Sequence, residues 1–241
     1  MSEIRFDDRV IIVTGAGSGL GKSHVLEFAK RGGKVVVNDL GGAVDGTGSN
    51  AAAADLVVTE IEASGGTAVA NYDSVSTPEG GEAIVECAMD NFGRVDVVVN
   101  NAGILRDRSI VKMSQEEWDA VLDVHLRGAF CVSRPAFRVM KENNYGRFVF
   151  TASAAGVFGN FGQSNYGAAK MGLVGLSNVV SQEGVKNNIK SNVIAPIALT
   201  RMTTGIMDNL GLQLDPEYVT SMVVYLASEE CEQTHEICSV G

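Results

Sequence analysis

The sequence predicts an α/β fold, a single domain in which one seven-stranded parallel sheet carries helices on both faces. Short runs rich in β-branched residues alternate with longer segments of helical period, the pattern of strands joined by crossover helices. The runs themselves, VIIV, VVV and DVVVN among them, are apolar almost without interruption, as strands buried on both faces must be. A length of 241 residues with 45% hydrophobic and 20% charged side chains suits one such domain with a substantial core. No internal repeat, low-complexity tract or linker divides residues 1–241.

In chain order, the first strand is expected over 10–13, followed by the turn TGAGSGLG and a helix over 20–31. A second strand over 34–38 leads into GGAVDGTGSN, residues 41–50, too polar and glycine-rich to be core. Then come a helix over 51–63, a strand over 67–71, a helix over 80–92 and a strand over 95–100. A helix over 115–132, whose period carries on towards 142, precedes a strand over 147–152 and a helix over 163–184. Strand six is expected over 189–194, a last helix over 216–226 and strand seven over 236–240. The connections at 41–50 and 196–215 are longer than most. The second would lie at the carboxyl edge of the sheet, where ligands of open α/β folds bind, and reads as a substrate lid or as a surface excursion.

Composition excludes several functions. With 19 basic and 29 acidic residues the net charge is −10, so no global positive field draws nucleic acid or an anionic membrane. Cys87, Cys131, Cys231 and Cys238 form no CxxC pair, and His24, His125 and His235 show no metal-ligand spacing, so no metal site is expected. The segment MSEIRFDDR lacks the apolar core of a signal peptide, and no apolar run reaches the ~20 residues that span a bilayer. A cytoplasmic, reducing setting is the expectation.

Chemistry concentrates in SAAGVFGNFGQSNYGAAK, residues 153–170. On a helix, Tyr166 and Lys170 stand at i and i+4 and share a face. A phenol titrates near ~10 in water, and a neighbouring ammonium favours its ionised form, which suits Tyr166 to proton transfer nearer neutral pH. Ser153, expected at the end of the preceding strand, could donate to the same substrate oxygen. In the first turn, Gly15, Gly19 and Gly21 would let the backbone approach a pyrophosphate at a helix N-terminus. Asp39, at the end of strand two, would accept from ribose hydroxyls and repel a 2′-phosphate, and no Lys or Arg follows in 40–50, so NAD is favoured over NADP. Asp73 is placed to receive an adenine amine, and NNAG, from Asn100 through Ala102 to Gly103, offers small residues for a dinucleotide to lie against; either stretch also suits a plain turn.

TGAGSGLG, NNAG, Ser153 and YGAAK, at these spacings and across essentially the whole chain, resemble the short-chain dehydrogenase/reductase family. The resemblance implies a doubly wound Rossmann-type domain in which Tyr166 transfers the proton, Lys170 lowers its pKa and holds the nicotinamide ribose, and Ser153 steadies the substrate oxygen. It also implies cofactor contacts at Ser18, Leu20, Ser74, Pro196 and Thr200, and association through the long central helices into a homodimer or homotetramer. NDLGG, ANYDSV, NNAGILRDRS, VHLRGAF, GNFGQSNY and EYV further resemble the (3R)-hydroxyacyl-CoA dehydrogenase regions of peroxisomal multifunctional enzymes of type 2 and bacterial relatives. That likeness implies oxidation of a 3-hydroxyacyl-CoA, with Arg106 and Arg108 near the cofactor motif as candidate phosphate contacts.

Two positions depart from the family pattern. His125 stands where the family usually carries an Asn that helps seat a relay water, so it is either a member of the proton relay or a packed histidine. Pro196 is followed by Ile197 where Gly is common. Two other functions stay open on sequence: a hydroxysteroid or other secondary-alcohol dehydrogenase, which suits the acidic balance, and a dinucleotide-binding redox sensor without turnover, which would have no need of Ser153, Tyr166 and Lys170 together.

Overall fold

A computed structural model describes residues 3–197 and 215–241. Among the described residues seven strands form one sheet: β1 (Val10–Thr14), β2 (Lys34–Asn38), β3 (Thr67–Asn71), β4 (Val97–Asn100), β5 (Gly146–Thr151), β6 (Ile189–Pro196) and β7 (Ile237–Val240). Every pairing is parallel, in the order β3-β2-β1-β4-β5-β6-β7. The order reverses between β1 and β4, which opens a crevice at their carboxyl ends.

Side-chain alternation sorts the strands onto two cores. Ile11, Val13, Val35 and Val37 face α1 (Gly19–Lys30), α2 (Ala52–Ala63) and α8 (Pro216–Ala227), packing on Phe28, Ile61 and Val223. Val10, Ile12, Val36 and Val98 face the other way, against Ile84 of α3 (Pro78–Phe92), Met140 of α5 (Gly128–Asn143) and Leu173 of α7 (Ser164–Gly184). Each such side chain, fully buried, contributes roughly 1.5–3 kcal/mol. A sheet covered on both faces in this way needs the continuous apolar strands that the sequence shows.

The expected fold is present, with local corrections. The helix starting at 115 is interrupted: α4 (Gln115–Leu122), opened by a Ser114–Glu117 capping box, runs into a π-helical turn (Asp123–Arg127) before α5. The Gly128 N–H reaches back to the Asp123 carbonyl, five residues earlier, and this one-residue expansion leaves no mark in an apolar period of 3–4. Helix α3 begins at Pro78 rather than 80, because the Thr77 hydroxyl accepts from Gly80 N at 3.0 Å and proline suits the first turn. A five-residue helix, α6 (Ala154–Phe158), too short for a periodic signal, follows β5. Ser153, just past the end of β5 as expected, is its N-cap, accepting from Ala155 N at 3.2 Å. The expected lid over 196–215 falls almost wholly outside the described residues.

Candidate active site

The glycine turn between β1 and α1 is pressed against the end of β4. Gly15 has φ +65°, and a Cβ there would lie 2.8 Å from Ala102 Cα. Its position is set by two side chains. Thr14 Oγ1 accepts from the amides of Asn101 and Ala102, each at 3.1 Å. Asn101 Nδ2 donates to the carbonyls of Thr14 at 2.9 Å and Gly15 at 3.1 Å. Ser18 is the N-cap of α1, so the first amides and positive dipole end of that helix stand at the crevice, an arrangement suited to a pyrophosphate.

From this turn a cleft of about 270 Å³ runs along the carboxyl ends of the strands to the N-terminal half of α7. It brings together the expected residues Gly15, Ser18, Gly19, Leu20, Asp39, Asp73, Ser74, Ala102, Gly103, His125, Ser153, Tyr166, Lys170 and Pro196. Asp39 closes one end, its two oxygens accepting from Gly17 N at 2.7 Å and Gly41 N at 2.6 Å and keeping further lone pairs for a ligand. Asp73 is tied to the end of β3 by Asn71 Nδ2 at 2.8 Å and through its carbonyl to Asn38 Nδ2 at 2.9 Å. Asn100 is not part of the cleft wall: as the last residue of a strand it alternates inward, and its Nδ2 donates to Ser133 Oγ at 3.0 Å. Its neighbour Asn101 lines the cleft instead. Thr200 lies outside the described residues.

At the other end, Tyr166 and Lys170 share one face of α7 as their spacing requires, with Lys170 Nζ 5.4 Å from the phenol ring centre. Lys170 is buried and donates to the Thr151 carbonyl at 2.5 Å; burial pulls its pKa down to about 7. The Tyr166 pKa is raised rather than lowered. Burial is the larger effect, a hydrogen bond with Ser153 opposes it, and Lys170 is not among the causes. Burial thus dominates at the phenol, where the sequence suggested that the ammonium would. His125 is buried beside them, its ring edge-on to Tyr166 with centres 5.3 Å apart. Desolvation first, and the Lys170 charge second, lower its pKa to about 3, so it is a neutral imidazole at ordinary pH.

Some contributors were not singled out by sequence. The 41–50 loop folds back over the cleft, placing Ala43, Val44 and Gly46 in its wall, and is held there by Leu105 N to Val44 O at 2.9 Å and Arg106 Nε to Asp45 O at 2.8 Å. Its glycines marked it as a loop, but nothing local gave the direction in which it folds. Arg106 is thereby engaged with this loop, and Arg108 pairs with Glu117 at 3.0 Å. Asn165, buried, aims α7 by donating to the carbonyls of Arg106 and Glu117, both at 3.0 Å.

Comparison with known proteins agrees with this geometry. Residues 9–211 match the family model described as short chain dehydrogenase. The chain is 56% identical over 239 residues to peroxisomal multifunctional enzyme A of Dictyostelium discoideum, covering 99% of this chain and 54% of that protein. It is 55% identical over 241 residues to peroxisomal multifunctional enzyme type 2 of Mus musculus, covering 100% of this chain and 32% of that one. It therefore spans about half or less of the length of these relatives. The crystal structure of a short chain dehydrogenase from Mycobacterium avium superposes with a TM-score of 0.86 at 42% identity, covering 98% of this chain and 83% of that one.

Proposed function

The chain belongs to the short-chain dehydrogenase family, and on that premise we propose that it is an NAD-dependent oxidoreductase acting on the secondary hydroxyl of a (3R)-3-hydroxyacyl-CoA. One observation carries the reading: Ser153, Tyr166 and Lys170 meet at one end of a cleft whose other end is the glycine turn and Asp39. A proton-transfer set and a dinucleotide cradle in one crevice suit hydride chemistry at a carbon bearing oxygen.

A nicotinamide dinucleotide fits the residues present. Gly15 leaves a backbone approach that any side chain would fill, the start of α1 offers amides for the pyrophosphate, and Asp39 offers a carboxylate to ribose hydroxyls. The absence of Lys and Arg from residues 40–50 supports NAD over NADP, since nothing there would receive a 2′-phosphate. When bound, the nicotinamide supplies the hydride acceptor. The chain's own residues handle the proton. Tyr166, as phenolate, takes the proton of the substrate hydroxyl, and Ser153 donates a hydrogen bond to the same oxygen. Lys170, one helical turn from Tyr166, supplies a positive charge beside the phenolate when protonated, acting against the burial that raises the phenol's pKa. The acyl-CoA substrate is supported by the likeness of NDLGG, VHLRGAF and GNFGQSNY to (3R)-hydroxyacyl-CoA dehydrogenase regions. A homo-oligomer and a cytoplasmic location belong to the same proposal. Half-exposed Phe130 on α5 with Met171 and Val179 on α7 support the first, and four free cysteines the second.

The test is the initial rate of NADH or NADPH formation over (3R)- and (3S)-3-hydroxyacyl-CoA of several chain lengths and a panel of hydroxysteroids. Fastest turnover of the (3R)-acyl-CoA with NAD is expected. Turnover of steroids alone would replace the substrate, and cofactor binding with no turnover of any alcohol would make the protein a sensor.

A further inference from the structure

The π-turn between α4 and α5 points His125 inward, beneath the floor of the cleft. There the imidazole touches two parts of the site at once. Its Nε2 lies 3.0 Å from Ile104 N and 2.9 Å from Ile104 O, and its ring meets Tyr166 edge-on at 88°. Gly103 makes this approach possible, since a Cβ there would sit 2.3 Å from His125 Cε1. The far side of the ring is different. His125 Nδ1 is buried with no hydrogen-bond partner among the described residues, and so is Asn100 Oδ1. Both residues, together with Thr14 and Gly128, line a small cavity of about 10 Å³ that adjoins the cleft through Ala102, Val124 and His125 itself. That is room for about one water molecule, and two polar walls are what keeps a buried water in place.

We propose that this cavity holds a single structural water bridging His125 Nδ1 and Asn100 Oδ1, and that His125, anchored by it, is a positioning residue for Tyr166. Proton bookkeeping fixes the arrangement. Asn100 Nδ2 donates to Ser133 Oγ, which leaves Oδ1 as an acceptor facing the cavity. The Ile104 amide donates to Nε2, and a buried amide left without an acceptor is rarer than an under-used carbonyl, so the ring proton resides on Nδ1. Nδ1–H then donates to the water, and the water donates to Asn100 Oδ1. The ring is held at both nitrogens, one through the Ile104 backbone and one through β4, and its edge fixes the plane of the phenol. An imidazole that stays neutral adds no charge to compete with the Lys170 ammonium next to Tyr166. The π-turn has a purpose here, because it is the distortion that brings this ring between the cleft floor and β4.

The positioning role rests on Tyr166 being the proton-transfer group, whereas the water and the tautomer do not, and three measurements separate them. A crystal structure resolving ordered solvent is expected to show one water within ~3.2 Å of both Nδ1 and Oδ1. Nitrogen-15 NMR of histidine-labelled protein is expected to show His125 as the neutral Nδ1–H form from pH 6 to 9. His125→Phe, which keeps the edge-on ring and loses both anchors, and Asn100→Leu, which removes the acceptor, are each expected to lower kcat about tenfold with KM and NADH affinity changed less than about threefold. His125→Gln, which can still bond the Ile104 backbone, should recover part of the loss. A dry cavity or an Nε2–H tautomer overturns the water anchor whether or not any alcohol is turned over. A water in place with kcat unaltered in both variants overturns the positioning role.

Discussion

At the amino edge of the sheet the buried charges have several hydrogen-bond partners each, whereas at the carboxyl edge a buried ammonium has one partner and several buried polar atoms have none among the described residues. Asp96, its side chain wholly buried, accepts from Val10 N at 2.9 Å, from Arg9 at 3.1 Å and from Arg94 at 2.6 and 2.8 Å. Arg147, buried beside it, donates to the carbonyls of Gly146, Asn188 and Ser228, and both Arg9 and Arg147 stack on the ring of Tyr145. Across the sheet, Lys170 has one carbonyl, and Thr151 Oγ1, Asn100 Oδ1 and His125 Nδ1 have no partner among the described residues. A parallel sheet brings all its strand ends of one kind to one side, so a crevice can open only there. The opposite edge can then be closed for stability without touching the site.

The sharpest way to break this division is to exchange the effects of the two edges. Tyr166→Phe should lower turnover by about 10²–10⁴-fold, the range for losing a general acid–base. Its urea midpoint and NADH affinity should stay near wild type. A large loss of stability would show that the phenol also holds the fold. Asp96→Ala should do the reverse. Removing a buried carboxylate from Arg9 and Arg94 should cost about 2–4 kcal/mol in urea denaturation, less than a fully buried pair because both arginines keep contact with water. Rate per folded molecule should hardly change. If kcat falls with stability, the two edges are coupled through β4.

The same division explains what the sequence disclosed. The strands, the glycine turn, Asp39 and the Tyr166–Lys170 spacing are local patterns, a few residues apart, and each was legible. What stayed hidden depends on contacts between distant segments. Asn101 rather than Asn100 faces the cleft because of strand alternation at the last residue of β4. The π-turn at Asp123–Arg127 is one extra residue in a helix, invisible to a period of 3–4. The rise of the Tyr166 pKa comes from burial, which spacing cannot report. At the amino edge, Asp96 lies two residues after Arg94, but its bond to Arg9 spans 87 residues.

Lys170 offers a finer test, because a residue kept for chemistry should burden the fold. Its pKa is depressed to about 7 from 10.5 by desolvation. Between those values the unfolded chain holds a proton that the folded one has released, so stability rises with pH across that window. The burden of burying the ammonium is therefore fully present below about pH 7 and is relieved as pH climbs towards 10.5. Lys170→Met should stabilise cofactor-free protein by up to a few kcal/mol near pH 6, with the gain shrinking steadily by pH 10. Thermal denaturation of both proteins over that range measures it, and a gain independent of pH would show that packing, not charge, is responsible.

Tyr145 gives the smallest effect and probes the stable edge alone. Arg9 Cζ stands 3.9 Å and Arg147 Cζ 4.4 Å from its ring centre, close enough for both guanidinium groups to feel the negative face of the ring. Tyr145→Leu keeps an apolar side chain of smaller volume but removes the π face, so the loss should be about 1–2 kcal/mol, one cation–π term per arginine with the packing deficit included. Tyr145→Phe keeps the face and should lose less than half of that. Kinetic constants should match wild type in both, since the ring lies at the opposite edge from Tyr166. If Phe proves as damaging as Leu, the hydroxyl rather than the ring supports the two arginines, and the amino edge is held by hydrogen bonds and ion pairs without help from stacking.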